Sequence, residues 1–243
     1  MSHASTYPIQ QGGIIAAGTG SRLRADGYCV SKPMVRVAGR SLIEHALDRF
    51  RAVGIRRLTV ILNKESEDCQ QWLVDHGGDL DLDLIVRTTP SSYASFRLVA
   101  DRLNRAPAVI TTIDSLMPTK DFHAYLVAAT GLPADAVVLG VTDYVDDENP
   151  LWATLDTSNG RIRQLGGDGG SHVTAGLYVL PAQRPAEPSA RFVRLRDYLT
   201  WLVAEGRPVY GVALPRVFDI DRARDIVAAE SAALSGECRD TRP

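Results

Sequence analysis

The chain has 243 residues, 45% hydrophobic and 23% charged, with a formal net charge of −2. That composition is globular, and so small a net charge excludes a global basic field for nucleic acid or anionic lipid, while still allowing local capture of a small anion. Cys29, Cys69 and Cys238 form no CxxC and sit in no His/Cys cluster, which excludes a disulfide framework or structural zinc and points to a reducing, cytoplasmic setting. The first residues lack the basic and apolar regions of a signal peptide. No apolar run approaches the roughly 20 residues of a membrane span.

In chain order, the apolar run 14–17 reads as a first strand that opens into Gly18-Thr19-Gly20-Ser21 and then Arg22. The stretch 41–53 carries Leu42, Ile43, Ala46, Leu47 and Phe50 at helical spacing, with Ser41 as N-cap and Gly54 just past its end. Strands over 58–62, 82–87, 108–112 and 136–141 alternate with helices over 66–76, 92–104 and 120–130. Such alternation predicts an α/β fold with a mostly parallel sheet sandwiched by helices. The second half changes character. Segments 151–155 and 161–165 flank Asp156-Thr157-Ser158-Asn159-Gly160 as a hairpin, 172–180 is a further strand, and 181–188 is a proline-containing connector. A helix over 192–204, a strand over 209–214 and a helix over 221–234 follow, with a flexible tail expected at 236–243. The antiparallel insertion is expected to cover part of the sheet edge, and ligands are expected beyond the carboxyl ends of the parallel strands.

The glycine loop is not a dinucleotide fingerprint, because Gly18 and Gly20 are followed by Leu23, and no G-x-x-x-x-G-K-[ST] is present. A plain strand-to-helix turn would need the glycines but no cations. Here small residues that let backbone N–H groups approach a ligand are joined by Arg22 and by Lys32 in Ser31-Lys32-Pro33. That combination suits a polyphosphate. Asp114 follows an apolar strand and so lies on the ligand side, where a turn or N-cap is its other role. Asp219 and Asp221 share one face if the segment is extended, and Asp221 is also a candidate N-cap. The acidic stretch 143–148 reads as a solvated loop or part of a lid. His45, His76, His123 and His172 have no ligand spacing and read as structural, and no G-x-S-x-G is present.

The composite "AAGTGSRL…SKPMVRVAGRSLIEHAL" resembles the opening of the nucleotidyltransferases that include sugar-1-phosphate pyrophosphorylases and alcohol-phosphate cytidylyltransferases. Their pattern is approximately A-A-G-x-G-[ST]-R, then K-P, then G-(K/R)-(S/P)-(L/M)-(I/L), which Gly39-Arg40-Ser41-Leu42-Ile43 fits. The resemblance implies a Rossmann-like, GT-A-type fold in one domain over 1–243, with a nucleotide-binding half over about 8–140 and an acceptor-binding portion over about 141–220. It implies that Ala16, Ala17, Gly18, Thr19, Gly20 and Ser21 line the nucleotide, that Arg22 clamps the pyrophosphate and that Lys32 lies near the α-phosphate. Asp114 and Asp219 are implied to hold Mg²⁺, with Asp221 as a further ligand. Thr89, Ser91, Ser92 and Ser95 fall in the base-covering region, Ser92 being equally an N-cap. "VTAGLYVL" resembles the acceptor motif V-N-A-G-I-Y-V-(F/L), with Thr174 in place of Asn and Gly176 retained.

The implied reaction is Mg²⁺-dependent transfer of NMP from an NTP (CTP, UTP, GTP or dTTP) to a sugar phosphate or small alcohol phosphate, with release of pyrophosphate. A homodimer is a candidate assembly, and no nucleic acid or membrane partner is expected. Two other functions share these features: a non-catalytic nucleotide or sugar-nucleotide sensor, and a metal-dependent GT-A glycosyltransferase. The single Asp of Thr112-Ile113-Asp114 speaks against the latter, which would carry D-x-D there.

Overall fold

Gly12 and Gly13 explain how tightly the first strand is sandwiched. A Cβ on Gly12 would lie 2.3 Å from Phe50 Cε1, and one on Gly13 would lie 2.4 Å from Val99 Cγ1. Helices on opposite faces therefore close onto the strand only because both side chains are absent. A computed structural model of the protein describes residues 9–103, 106–185 and 192–234. The expected tail at 236–243 and part of the 181–188 connector lie outside them.

The elements in chain order are β1 (Gln11–Ala16), α1 (Ser21–Ala25), a 3₁₀ turn at Lys32–Met34, β2 (Arg36–Val37), β3 (Arg40–Ser41) and α2 (Leu42–Ala52). Next come β4 (Arg57–Leu62), α3 (Glu67–His76), β5 (Asp81–Val86), α4 (Ser92–Arg102), β6 (Ala108–Thr112), β7 (Ser115–Leu116) and α5 (Thr119–Thr130). The second half holds β8 (Val137–Thr142), β9 (Trp152–Leu155), β10 (Ile162–Leu165), β11 (His172–Leu180), α6 (Leu195–Ala204), β12 (Val209–Leu214), β13 (Phe218–Asp219) and α7 (Ala223–Leu234).

Nine strands form one sheet in the order β10-β9-β11-β6-β1-β4-β5, with β8 also paired to β11 and β12 to β8. The β1–β4, β1–β6, β4–β5 and β8–β12 pairs are parallel. The antiparallel strand β11 does more than cover an edge. It lies between β6 and β8, pairing Leu177 with Thr111 and Tyr178 with Leu139. Leu177 and Tyr178 are both buried, on opposite faces of the sheet, which suits an interior position. The expected hairpin is present as β9–β10, and Gly160 takes φ +75° in its turn.

One buried cluster joins α2 and α5 to one sheet face, with Phe50 edge-to-face on Phe122 at 5.4 Å. A second joins α4 and α6 to the other face. Each fully buried large aliphatic side chain in these layers stabilises the fold by about 1.5–3 kcal/mol. The chain winds from β1 through β4 to β5 on one side and returns to β6 on the other. The crevice at the carboxyl ends of β1 and β6 is therefore the topological switch point, where open α/β sheets bind ligands.

Helix starts show which local signals acted. Ser41 caps α2 as expected: its Oγ accepts from Glu44 N at 3.4 Å, while Glu44 Oε2 accepts from Ser41 N at 2.7 Å, a reciprocal box. Ser91, not Ser92, caps α4, accepting from Ala94 N at 3.2 Å. The helix α6 begins at Leu195 rather than 192, where Asp197 accepts from Arg194 N at 3.1 Å. The helix α7 begins at Ala223, not at 221, because Asp225 turns back to accept from Asp221 N at 2.9 Å and Arg222 N at 2.7 Å. That arrangement leaves the Asp221 carboxylate available for other partners. No helix of the described residues is long and apolar enough to cross a membrane.

Candidate active site

The parallel register sets Ala16 beside Leu62 and Ile15 beside Thr112. The segments leaving β1, β4 and β6 thus share one rim. Gly20 sits there in the left-handed region at φ +60°, with Lys32 Cβ 2.9 Å from where its own Cβ would be. Glycine is what lets the loop lie against the lysine turn. A Cβ on Gly18 would meet nothing within 4 Å, so this part of the loop faces open space that a ligand can fill.

Lys32 is 7% exposed. Its Nζ donates to Asp114 Oδ2 at 2.8 Å and also to Asp221 Oδ1. Arg22 donates from Nη1 to the other oxygen of Asp221. Asp219, at the end of β13, pairs with Ser115 of β7, and Ile220 N donates to the Asp114 carbonyl at 3.1 Å. Asp114, Asp219 and Asp221 thereby offer one carboxylate oxygen each within 4.8 Å of one another. The structure brings together Arg22, Lys32, Asp114, Asp219 and Asp221, which the sequence analysis singled out separately.

The charges of these groups are strongly linked. Burial works against the Lys32 ammonium, but Asp114, Asp221 and Asp219 outweigh it and hold its pKa above the ordinary lysine value. Burial also works against the Asp114 carboxylate, yet Lys32 and the Thr112 hydroxyl keep it below the ordinary range. For Asp219, burial and then the charge of Asp114 prevail over Lys32 and push it up to about 8. Three convergent hard oxygens are a donor set that could hold a metal ion.

Beside the carboxylates opens a cavity of about 210 Å³, lined in part by Tyr144, Asp146, Thr174, Gly176 and Asp219. Gly176 takes φ +68° where the register of β11 against β8 shifts, and a Cβ there would lie 1.9 Å from Ser115 Oγ. This bulge allows β11 to approach the Asp114 turn. The acidic loop after β8 is anchored at its far end. Glu148 accepts from Arg222 at 3.0 Å and Arg224 at 2.8 Å, and the Asn149 carbonyl accepts from Arg196 at 2.7 Å. Burial and then the charge of Asp225 push Asp146 up to about 6.

The hydroxyls assigned to the base region all have internal partners. Thr89 bonds Ser95 at 2.6 Å, Ser91 caps α4, and Ser92 Oγ accepts from Leu195 N at 3.0 Å. Sequence reasoning missed Asn63, which donates to the Ala17 carbonyl at 3.1 Å and accepts from Thr88 at 3.1 Å. It ties three strand ends together. The available signal was a polar residue at the end of an apolar strand, close to the signal that marked Asp114 just past β6. Among the described residues, the histidines stand outside the carboxylate cluster: His45 donates to the Val37 carbonyl at 2.9 Å, and His76 stacks on Trp72 at 4.5 Å.

A sheet of this winding, with a glycine loop, two cations and convergent carboxylates at its switch point, has the layout of a nucleotide-transferring domain. The model of the MobA-like NTP transferase domain matches residues 12–177, and the chain belongs to that family. Over 116 residues it is 30% identical to a glucose-1-phosphate thymidylyltransferase from Actinoplanes sp., a match covering 46% of this chain and 38% of that protein. It is 27% identical over 179 residues to the bifunctional protein GlmU of Mycolicibacterium vanbaalenii, covering 70% of this chain and 34% of the relative. The matches thus span well under half the length of these relatives. Its fold is similar to that of the inositol-1-phosphate CTP transferase from T. maritima, with TM-score 0.76 and 19% identity over 94% of this chain and 98% of that one.

Proposed function

We propose that this protein is a Mg²⁺-dependent nucleotidyltransferase that transfers the NMP of an NTP to the phosphate of a sugar phosphate or small alcohol phosphate and releases pyrophosphate. The observation that carries this reading is the placement of Lys32 and the Asp114–Asp219–Asp221 set between the Gly18–Arg22 loop and the 210 Å³ cavity. One side suits a triphosphate and the other a small polar acceptor. The relatives' names, with glucose 1-phosphate and inositol 1-phosphate among their substrates, support an acceptor that already carries its phosphate.

In the reaction, an oxygen of the acceptor phosphate forms a bond to the α-phosphorus as the bond from that phosphorus to the bridging oxygen of pyrophosphate breaks. The electron pair leaves with pyrophosphate. The attacking oxygen is already anionic, so no residue has to act as general base. Asp114, Asp219 and Asp221 would hold Mg²⁺, which neutralises phosphate charge when bound. The work left to the protein is alignment and electrostatic stabilisation. Backbone groups of 16–21 line the triphosphate, Arg22 holds its departing end, and Lys32 offsets the repulsion between two anions at the α-phosphate. The segment 89–92 borders the base, where the Ser91 and Ser92 hydroxyls, which accept from Ala94 N and Leu195 N, still have an O–H to donate. Thr174, the Gly176 bulge and Asp146 bound the acceptor, with the Asp146 carboxylate placed to accept from an acceptor hydroxyl.

The test is pyrophosphate release with Mg²⁺ in the presence of both substrates. Release with NTP and acceptor together, abolished in Asp114→Ala, supports the reading. Hydrolysis of a ready-made nucleotide sugar without pyrophosphate chemistry contradicts it, as does nucleotide binding with no turnover on any acceptor.

A further inference from the structure

Arg49 is a buried cation that the reaction above does not use. It lies on the core-facing side of α2, 2% exposed, and donates from Nη2 to the Ser115 carbonyl at 3.0 Å. Withdrawing a guanidinium from water costs free energy unless its donors are used. A position that served packing alone would be filled by an apolar side chain, as at Leu47 and Phe50 beside it.

Its acceptor is the node of the site. Ser115 pairs with Asp219 across β7–β13, and its hydroxyl bonds Thr112 Oγ1 at 2.8 Å. Thr112 in turn hydrogen-bonds Asp114. The β7–β13 ladder has only the pairs Phe218–Leu116 and Asp219–Ser115. So short a ladder is marginal by itself, yet it is what holds Asp219 against the Asp114 turn. Arg49 braces it from α2, whose start is fixed by the Ser41–Glu44 box. The Gly39-Arg40-Ser41-Leu42-Ile43 stretch thereby reaches the site through α2.

We infer that Arg49 is a positioning residue: its hydrogen bond to the Ser115 carbonyl sets the spacing of Asp114 and Asp219 and so the affinity of the carboxylates for a divalent cation. The inference rests on the reading of those carboxylates as a metal site.

The test is calorimetric Mg²⁺ binding to the nucleotide-free protein, with thermal midpoints in EDTA recorded alongside. Arg49→Met keeps the apolar stem and removes the donors, and its Mg²⁺ affinity falls roughly 10–100-fold, the usual effect of losing a group that supports metal ligands. Arg49→Lys keeps one donor within reach and recovers most of that loss. A folded Arg49→Met with wild-type Mg²⁺ affinity overturns the assignment, and so does an Arg49→Lys variant as weak as Arg49→Met. Should Arg49→Met not fold, Arg49→Gln, too short to reach the carbonyl, replaces it with the same two outcomes. Asp114→Asn separates the two readings. If it leaves Mg²⁺ binding intact, the metal site itself is refuted and the Arg49 role falls with it. If it abolishes binding while Arg49→Met does not, only the role of Arg49 is refuted.

Discussion

Lys32 and Asp114 meet at 2.8 Å across 82 positions of sequence, with the ammonium nearly withdrawn from water. The same ammonium also bonds Asp221. One cation thus holds two of the three converging carboxylates. Lys32→Met therefore leaves these carboxylates to repel one another. Stability falls, by less than the roughly 3–5 kcal/mol of a fully buried broken pair, because the Asp114 and Asp221 side chains are 25% and 31% exposed. Saturating Mg²⁺ restores the thermal midpoint but not turnover, which drops roughly 10²–10³-fold by analogy with the loss of one oxyanion donor. Thermal unfolding with and without Mg²⁺, beside single-turnover rates, checks both halves.

Two glycines of the site respond oppositely to alanine. At Gly176 the new Cβ meets Ser115 Oγ at 1.9 Å and the backbone is at φ +68°, so Gly176→Ala lowers stability by about 1–3 kcal/mol and impairs turnover. At Gly18 the Cβ meets nothing within 4 Å, so Gly18→Ala keeps the wild-type midpoint and raises the KM for NTP. Wild-type nucleotide KM in Gly18→Ala would remove the loop from the nucleotide site.

Asp146 gives a pH signature. Its pKa of about 6 in the folded protein lies above the ordinary 3.8. The folded state therefore keeps a proton that the unfolded chain has lost, and this contribution to stability is full below about pH 3.8 and is lost as pH rises through about 6. Unfolding profiles across that window decline for the wild type, and the decline is smaller in Asp146→Asn. Identical profiles would show that the carboxylate is solvated like any surface group.

Ser91 Oγ accepts from Ala94 N at the start of α4. Ser91→Ala costs about 1 kcal/mol of stability and leaves the ranking of NTPs by kcat/KM unchanged. A reordered ranking would place the Ser91 hydroxyl on the nucleobase.

Periodicity and strand-end polarity carried most of the fold and named several side chains that converge in the candidate site. The face Leu42, Ile43, Ala46, Leu47 and Phe50 is buried as its spacing predicts, and Asp114 lies just past the apolar strand β6 as the sequence suggests. The rest depended on long-range geometry. The helix α1 is five residues long, too short to show a period. The interior place of β11 depends on partners far along the chain. For Asp221 the sequence left a helix cap and a metal ligand both open, and it is the Asp225 carboxylate that accepts from the backbone at the start of α7. Nothing local reveals that the partner of Arg49 is the Ser115 carbonyl.

The most direct measurement is pyrophosphate release with Mg²⁺, crossing CTP, UTP, GTP and dTTP with sugar 1-phosphates and small polyol phosphates, beside Asp114→Ala. The prediction is release that requires one NTP and one acceptor together and disappears in the variant. Release that persists undiminished in Asp114→Ala, or nucleotide binding with no release on any acceptor, would contradict a carboxylate-held metal at the centre of a transferase.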